Sequence, residues 1–404
     1  MEKFMTRNVR KNLKRGAAIC LICSAVFAAP GWFVQTDVNQ DFRYRLHDYA
    51  KEDTLNGASR YRERMRYRLG ITSKINDEFS VGVRLLTGDG SNKSTTQTLD
   101  SEFTKKAFNL DQAYLSYAPA WVPSVAGKFK ATVGKFDVKE GVYTATNGVW
   151  DSNISLEGKN LNYTYKDLGV KGLDFFANIG SYVLAGDVNN GVKEQDDGTS
   201  VSGGGSPIVL EAKQLGIKWK IADYSVETAY AQYTVPAWNH SYGTEPSIKT
   251  PDDKALEHIA VKLGANLTVP YLEKVALLYE DIVNRNEIGI MKSKSNTTSG
   301  EPDSVSDKHA SAYGIEFGAK IGLPYLKDYS LRYLQRKIEN GVGWAYMEDA
   351  HKDPNTEGSQ IALTLGIVDN VSFTIDQYSL KYLDPLNDSN VPWTDTRFEI
   401  NVKF

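Results

Sequence analysis

The polar and apolar residues of this chain alternate with a period of two in segment after segment, and the connectors between those segments are alternately short and long. Strand side chains point to opposite faces in turn, so the period predicts strands with one greasy and one polar face. The short connectors fall near residues 76–77, 120–127, 167–170, 222–223, 270–273, 324–327 and 369–370. The long ones fall near 48–58, 89–107, 140–157, 187–207, 235–253, 285–307, 338–356 and 383–392, and collect Gly, Ser, Asn, Asp and Lys. Seven turns and eight loops imply sixteen strands with both chain ends on the turn side. At the C-terminus Thr396, Phe398, Ile400, Val402 and Phe404 share one face, and Asp395, Arg397, Glu399, Asn401 and Lys403 share the other. A soluble sandwich would alternate too, but its apolar faces would have to pack on each other. One-sided loop lengths, an even strand count and a terminal aromatic favour an all-β transmembrane antiparallel up-and-down β-barrel. Its greasy side faces out, its turns are periplasmic and its long loops extracellular.

The first residues agree with export to such a place. Lys3, Arg7, Arg10, Lys11, Lys14 and Arg15 precede an apolar run over residues 17–29, which reads as a signal peptide over residues 1–28. That run is shorter than the roughly 18 to 20 residues a spanning helix needs. Cys20 and Cys23 leave with it, so the expected single barrel domain, residues 29–404, has no thiol for disulfide, metal or nucleophile. Its formal charge of −8 argues against nucleic acid as a partner. Twenty-three tyrosines, fifteen phenylalanines and seven tryptophans suit both strands and interfacial girdles.

Faces can be assigned where the alternation is clean. Phe79, Val81, Val83 and Leu85 are expected to face lipid, as are Ile259, Val261, Leu263, Ile361, Leu363 and Leu365. Arg84, Lys218, His258, Lys262 and Glu316 fall on the opposite, inward face. A repeated Pro-Tyr-Leu step, at Pro270, Tyr271 and Leu272 and again at Pro324, Tyr325 and Leu326, marks two related hairpin turns.

The densest chemical signal is a ladder of Arg60, Arg62, Arg64, Arg66 and Arg68 on one strand, preceded by Arg43 and Arg45 on another. A lipid-facing arginine at the bilayer midplane costs about 2–4 kcal/mol, so these guanidiniums are expected in the lumen. Guanidinium stays protonated at any working pH, and such a wall would attract anions. Pairing with lumenal carboxylates such as Asp37 and Asp41 would instead make it a brace, and the two roles can coexist.

Loop 140–157 is a candidate constriction loop because its place after the fifth strand resembles that of the loop that folds inward in known channel-forming barrels. If it folds inward, Glu140, Asp151 and Glu157 could face the arginines across the channel; the alternative is an ordinary surface loop. His47, His240, His258, His309 and His351 lack metal-ligand spacing and are expected to be solvated, with no metal or cofactor. No catalytic signature occurs.

Residues 60–89 read RYRERMRYRLGITSKINDEFSVGVRLLTGD, residues 110–119 LDQAYLSYAP and residues 133–138 VGKFDV. In this order they resemble the putative porins of Gram-negative bacteria, sixteen-stranded outer-membrane channels. The resemblance implies a passive diffusion channel for small hydrophilic solutes and ions, and a lumenal basic position at Lys135. The partners it brings are outer-membrane lipid, the barrel assembly machinery reading Phe398, Ile400, Val402 and Phe404, and two further copies in a homotrimer. The ladder adds a lean towards anions. A barrel-borne surface hydrolase and a surface adhesin or receptor are the alternatives.

Overall fold

A computed structural model describes residues 35–51, 59–88, 94–100, 102–146, 150–187, 193–194, 200–201, 207–235, 254–286, 289–290, 303–304, 309–339, 342, 356–383 and 392–404. The expected signal peptide lies outside them. Among the described residues sixteen antiparallel strands form one closed wall. They are β1 (Gln35–Lys51), β2 (Arg60–Lys74), β3 (Phe79–Thr87), β4 (Phe108–Tyr117), β5 (Lys128–Asp137), β6 (Ser155–Tyr165), β7 (Leu173–Asp187) and β8 (Pro207–Ile221). The second half comprises β9 (Tyr224–Val235), β10 (Lys254–Val269), β11 (Leu272–Asn284), β12 (His309–Leu323), β13 (Leu326–Ile338), β14 (Thr356–Val368), β15 (Val371–Tyr382) and β16 (Trp393–Lys403).

Closure comes from β16 lying against β1, in register from Asp41 opposite Lys403 to Lys51 opposite Trp393. Gln40 and Phe404 then exchange both main-chain hydrogen bonds, at 2.9 and 3.0 Å. Both ends of the described chain therefore meet at the turn end of the wall, as the connector pattern requires.

The turns carry their own sequence logic. Asn76 accepts from the main-chain N–H groups of Glu78 and Phe79 and so closes the β2–β3 turn. Tyr271 and Tyr325 follow their prolines with φ of 61° and 62°, so the repeated step builds the same hairpin twice. Beside the turns aromatic rings line the outside of β3 to β7: Phe79 stacks on Tyr117 at 4.7 Å, and Phe129 and Phe175 flank Tyr163. Aromatic rings collect at the boundary between hydrocarbon and water.

Alternation sorts the two faces. Val83, Leu115, Val133, Leu161, Ile259, Leu263, Ile361 and Ile400 are exposed on the outside, while Arg43, Arg64, Gln214, His258 and Arg336 are buried within.

Among the described residues the wall loses pairing around β5. Strands β4 and β5 pair only from Ala113 opposite Lys135 to Tyr117 opposite Ala131, and β6 stops pairing with β7 at Gly158 opposite Tyr182. Above that level β5 turns into the short helix α1 (Val138–Gly141) and the chain leaves the wall for the interior. Gly134 and Gly158 stand opposite each other at this exit, with φ of 115° and 151°. A Cβ on either would collide with a neighbouring carbonyl oxygen, of Ala113 or of Ser181.

Leu363 stands between Leu331 and Ile375, mid-way along the apolar face of β14. Leu363→Arg is expected to lose about 2–4 kcal/mol of folding free energy in lipid bilayers. Urea titrations read by gel mobility of the folded barrel would measure it.

Candidate functional site

Two bodies of side chains occupy the interior. On one side β1, β2 and β16 bring the arginines together with carboxylates. Arg66 and Arg68 both hold Asp41, at 2.8 and 2.6 Å. Arg45 and Arg43 reach Glu399 at 2.6 and 3.5 Å, and Arg397 reaches Asp395 at 2.9 Å. Arg62 donates to His47 Nδ1 at 2.8 Å, and His47 Nε2 lies 2.8 Å from Asp395, so both ring nitrogens are engaged. Arg43 also donates to Thr96, and Arg64 to Ser94 and the Thr96 carbonyl. Residues 97–98 pair with Met65 and Arg64 where β3 has left β2, and so lay residues 94–96 over the guanidiniums.

The ladder is thus charge-compensated along much of its length. Asp41 pairs as expected, whereas Asp37 stands opposite Thr72, beyond the arginines. Arg60 is exposed at the loop end opposite Tyr49. Arg84 stands apart from this group, bonded to Asp111 and to Asp137, the residue that caps α1.

On the other side residues 138–146 and 150–154 lie inside the barrel. A row of amides crosses three strands beneath them, since Asn162 lies opposite Asn178 and Asn178 opposite Gln214. Asn162 donates to Asn178 at 2.6 Å and Asn178 to Gln214 at 2.9 Å. The row holds the entering main chain: Asn160 and Asn162 donate to the Glu140 carbonyl. Gln214 accepts from Tyr143 N at 2.8 Å and donates to Tyr143 O at 3.0 Å.

Farther round the barrel, Glu280 on β11 takes the tip of the segment. One oxygen accepts from Ala145 N at 2.5 Å and the other from the Thr146 hydroxyl. The Glu280 side chain is wholly buried, with His258 Nε2 3.7 Å away and the Tyr233 hydroxyl 3.1 Å from His258 Nδ1. Behind this polar clamp Val138, Val142, Trp150 and Ile154 join Phe136, Leu156, Tyr182, Leu210, Tyr233 and Ile282 in one apolar cluster. Trp150 meets Tyr233 edge-on at 5.6 Å. Tyr182 fits because Gly141 has no side chain: a Cβ there would strike its hydroxyl. Burial and the Glu227 and Glu280 carboxylates raise the pKa of Tyr143, whose ring lies beneath Lys218 Nζ at 5.2 Å. Tyr143 therefore stays a neutral phenol.

Several sequence expectations need correction at this level. Lys135 is not lumenal: Phe136 beside it lies in the interior cluster, and adjacent strand residues face opposite sides, so Lys135 shares the outer face of Val133. There it pairs with Glu157, directly opposite on β6, which places Glu157 outside as well. Asp151 enters the interior but turns back on its own loop, accepting from Asn153 N and Nδ2 at 2.8 Å each. Of the three acidic residues considered for the constriction, Glu140 pairs inside with Lys130 at 2.5 Å. His47 and His258 are buried and bonded rather than solvated; His240 and His351 lie outside the described residues.

Sequence reasoning passed over Asn160, Asn162, Asn178, Gln214 and Glu280. Their alternation places them on inward faces, but every lumenal strand carries polar residues there, and nothing in sequence pairs Glu280 with Thr146.

A closed sixteen-stranded barrel with a polar interior and an apolar exterior defines an outer-membrane channel of the porin class. The family model described as putative porin matches residues 27–248, more than half of the chain, and the chain belongs to that family. It is an outer-membrane β-barrel that serves as a passive diffusion channel. Among solved structures it is similar to OprB of Pseudomonas putida, with 11% identity over 91% of this chain and 94% of that one, at a TM-score of 0.55. The outer-membrane channel DcaP of Acinetobacter baumannii has 16% identity over 92% and 98%, at 0.50. An anion-selective porin from Comamonas acidovorans has 14% identity over 92% and 100%, also at 0.50. No curated protein matches the sequence.

Glu280→Ala removes two acceptors from a buried site and takes the hydrogen-bond partner of Ala145 N with them, a loss on the order of 1–3 kcal/mol. Denaturant titrations should show it, with Glu280→Gln losing less because one oxygen remains.

Proposed function

We propose that small hydrophilic solutes and ions pass between the arginine wall and residues 138–146 and 150–154, which narrow the barrel as its constriction. The observation that carries this reading is the clamp of that segment on Gln214 and Glu280, on strands far from its origin. Arg62, Arg64, Arg66 and their neighbours form one side of the path. Among the described residues the arginines set a positive field on this side, part of it balanced by Asp41, Asp395 and Glu399, which supports a modest lean towards anions. The protein acts as a channel and not as an enzyme, a reading supported by the family match and by the barrel fold. Phe398, Ile400, Val402 and Phe404, along the outer face of the closing strand, are the stripe offered to the barrel assembly machinery. A homotrimer is the assembly this fold class suggests.

Purified protein in a planar bilayer should give stepwise conductance, and a folded barrel that leaves the bilayer silent would end the proposal. Under a salt gradient the reversal potential should move towards cations when Arg62, Arg64 and Arg66 are replaced by serine. Unchanged selectivity would reduce the ladder to a brace. Glu280→Ala should raise single-channel conductance or its open-state noise if the clamp sets the constriction.

A further inference from the structure

The outer face of β5, β6 and β8 ends differently from the rest of the wall. Running from turn to loop, β5 shows Phe129, Ala131, Val133 and then Lys135. On β6 Leu161 is followed by Lys159, and on β8 Leu215 by Lys213. At the same step, just past the last apolar residue, β9, β12, β13 and β15 carry Gln232, Ser311, Gln335 and Gln377.

The three lysines are neighbours. Lys159 stands opposite Val133, one step along β5 from Lys135. Lys213 stands opposite Ile179, which is itself opposite Leu161, one step along β6 from Lys159. Two strand spacings and one two-residue step along the strand put Lys159 and Lys213 about 12 Å apart, a span their long side chains can close on one headgroup. Lys135 is paired with Glu157. Lys159 and Lys213 are exposed and make no ion pair among the described residues; Glu211 lies two strands along the row of Lys159, and Glu257, two strands along the row of Lys213, is held by Arg285.

Ammonium groups at the upper edge of an apolar belt extend to the headgroup layer with their stems along hydrocarbon. They meet phosphate there, not solute, since they point away from the lumen. We infer that Lys159 and Lys213, flanked by Lys135, form a site on the outer wall for the phosphate of an anionic lipid headgroup. A phosphorylated glycolipid of the loop-side leaflet fits this chemistry, its acyl chains lying over Leu161, Ile179 and Leu215. A cavity of about 310 Å³ opens beside the site, at the exit of the inward segment, where Lys135, Glu157 and Val183 form part of its lining.

The site rests on the membrane-spanning reading and not on conduction, so the two can be tested apart. The detergent-purified barrel would be titrated with bisphosphorylated lipid A, its dephosphorylated form and phosphatidylcholine, and followed by native mass spectrometry. Lipid A should be retained over both controls, and Lys159→Gln with Lys213→Gln should lower that retention about tenfold while conductance stays unchanged. Equal retention of the phosphorylated and dephosphorylated lipids, or an unaffected double variant, overturns the inference. So does complete displacement by excess inorganic phosphate, which would make the lysines a site for the free ion. Gel mobility of the double variant confirms that it is folded before the comparison is drawn.

Discussion

Hydrocarbon offers no partner to a main-chain N–H or C=O, so every strand that crosses a bilayer must find its hydrogen bonds on a neighbouring strand. For this chain the requirement falls hardest on the first and last strands, which would otherwise present two bare edges. The pairing of β1 with β16 removes both edges at once, and the interior depends on it. Arg43 and Arg45 come from one side of that seam and Glu399 from the other. The seam therefore closes the wall and assembles the charged surface in the same step.

Where β5 turns inward, the wall sacrifices some of that pairing. Phe108–Gln112 of β4 and the last residues of β7 lose neighbours on one side because the intervening hairpin stops early. What the barrel receives in exchange is an interior segment fixed at two points, by the amide row where it enters and by Glu280 at its tip. Gly134, Gly158 and Gly141 mark the exit because chain, wall and Tyr182 approach too closely for any side chain.

Much of the architecture was legible in sequence because a barrel writes it locally. A two-residue period, a proline followed by tyrosine, and a change from compact turns to long polar loops are all readable without knowing which strands meet. The arginines were legible as inward-facing for the same reason. Their partners were not: Glu399 lies 354 residues from Arg45 and Glu280 134 residues from Thr146, and only closure and inward folding bring them together. Lys135 was misplaced because the resemblance carried it inward, although the parity of Phe136 and Val133 already set it on the outer face. Asp151 shows the other limit, since an acidic residue on an inward loop can spend its charge on its own turn.

The two sides of the interior are held by different chemistry. Ion pairs fasten β1, β2 and β16 to one another, and mobile counter-ions weaken them as salt concentration rises, the partly exposed Arg68–Asp41 pair more than the buried Arg45–Glu399 pair. The row of Asn162, Asn178 and Gln214 is electrically neutral, and its grip on residues 140–143 does not depend on screening. A brine that loosens the first side leaves this part of the second where it was. The channel thus has one wall that senses the medium and, facing it, an anchorage that keeps its place.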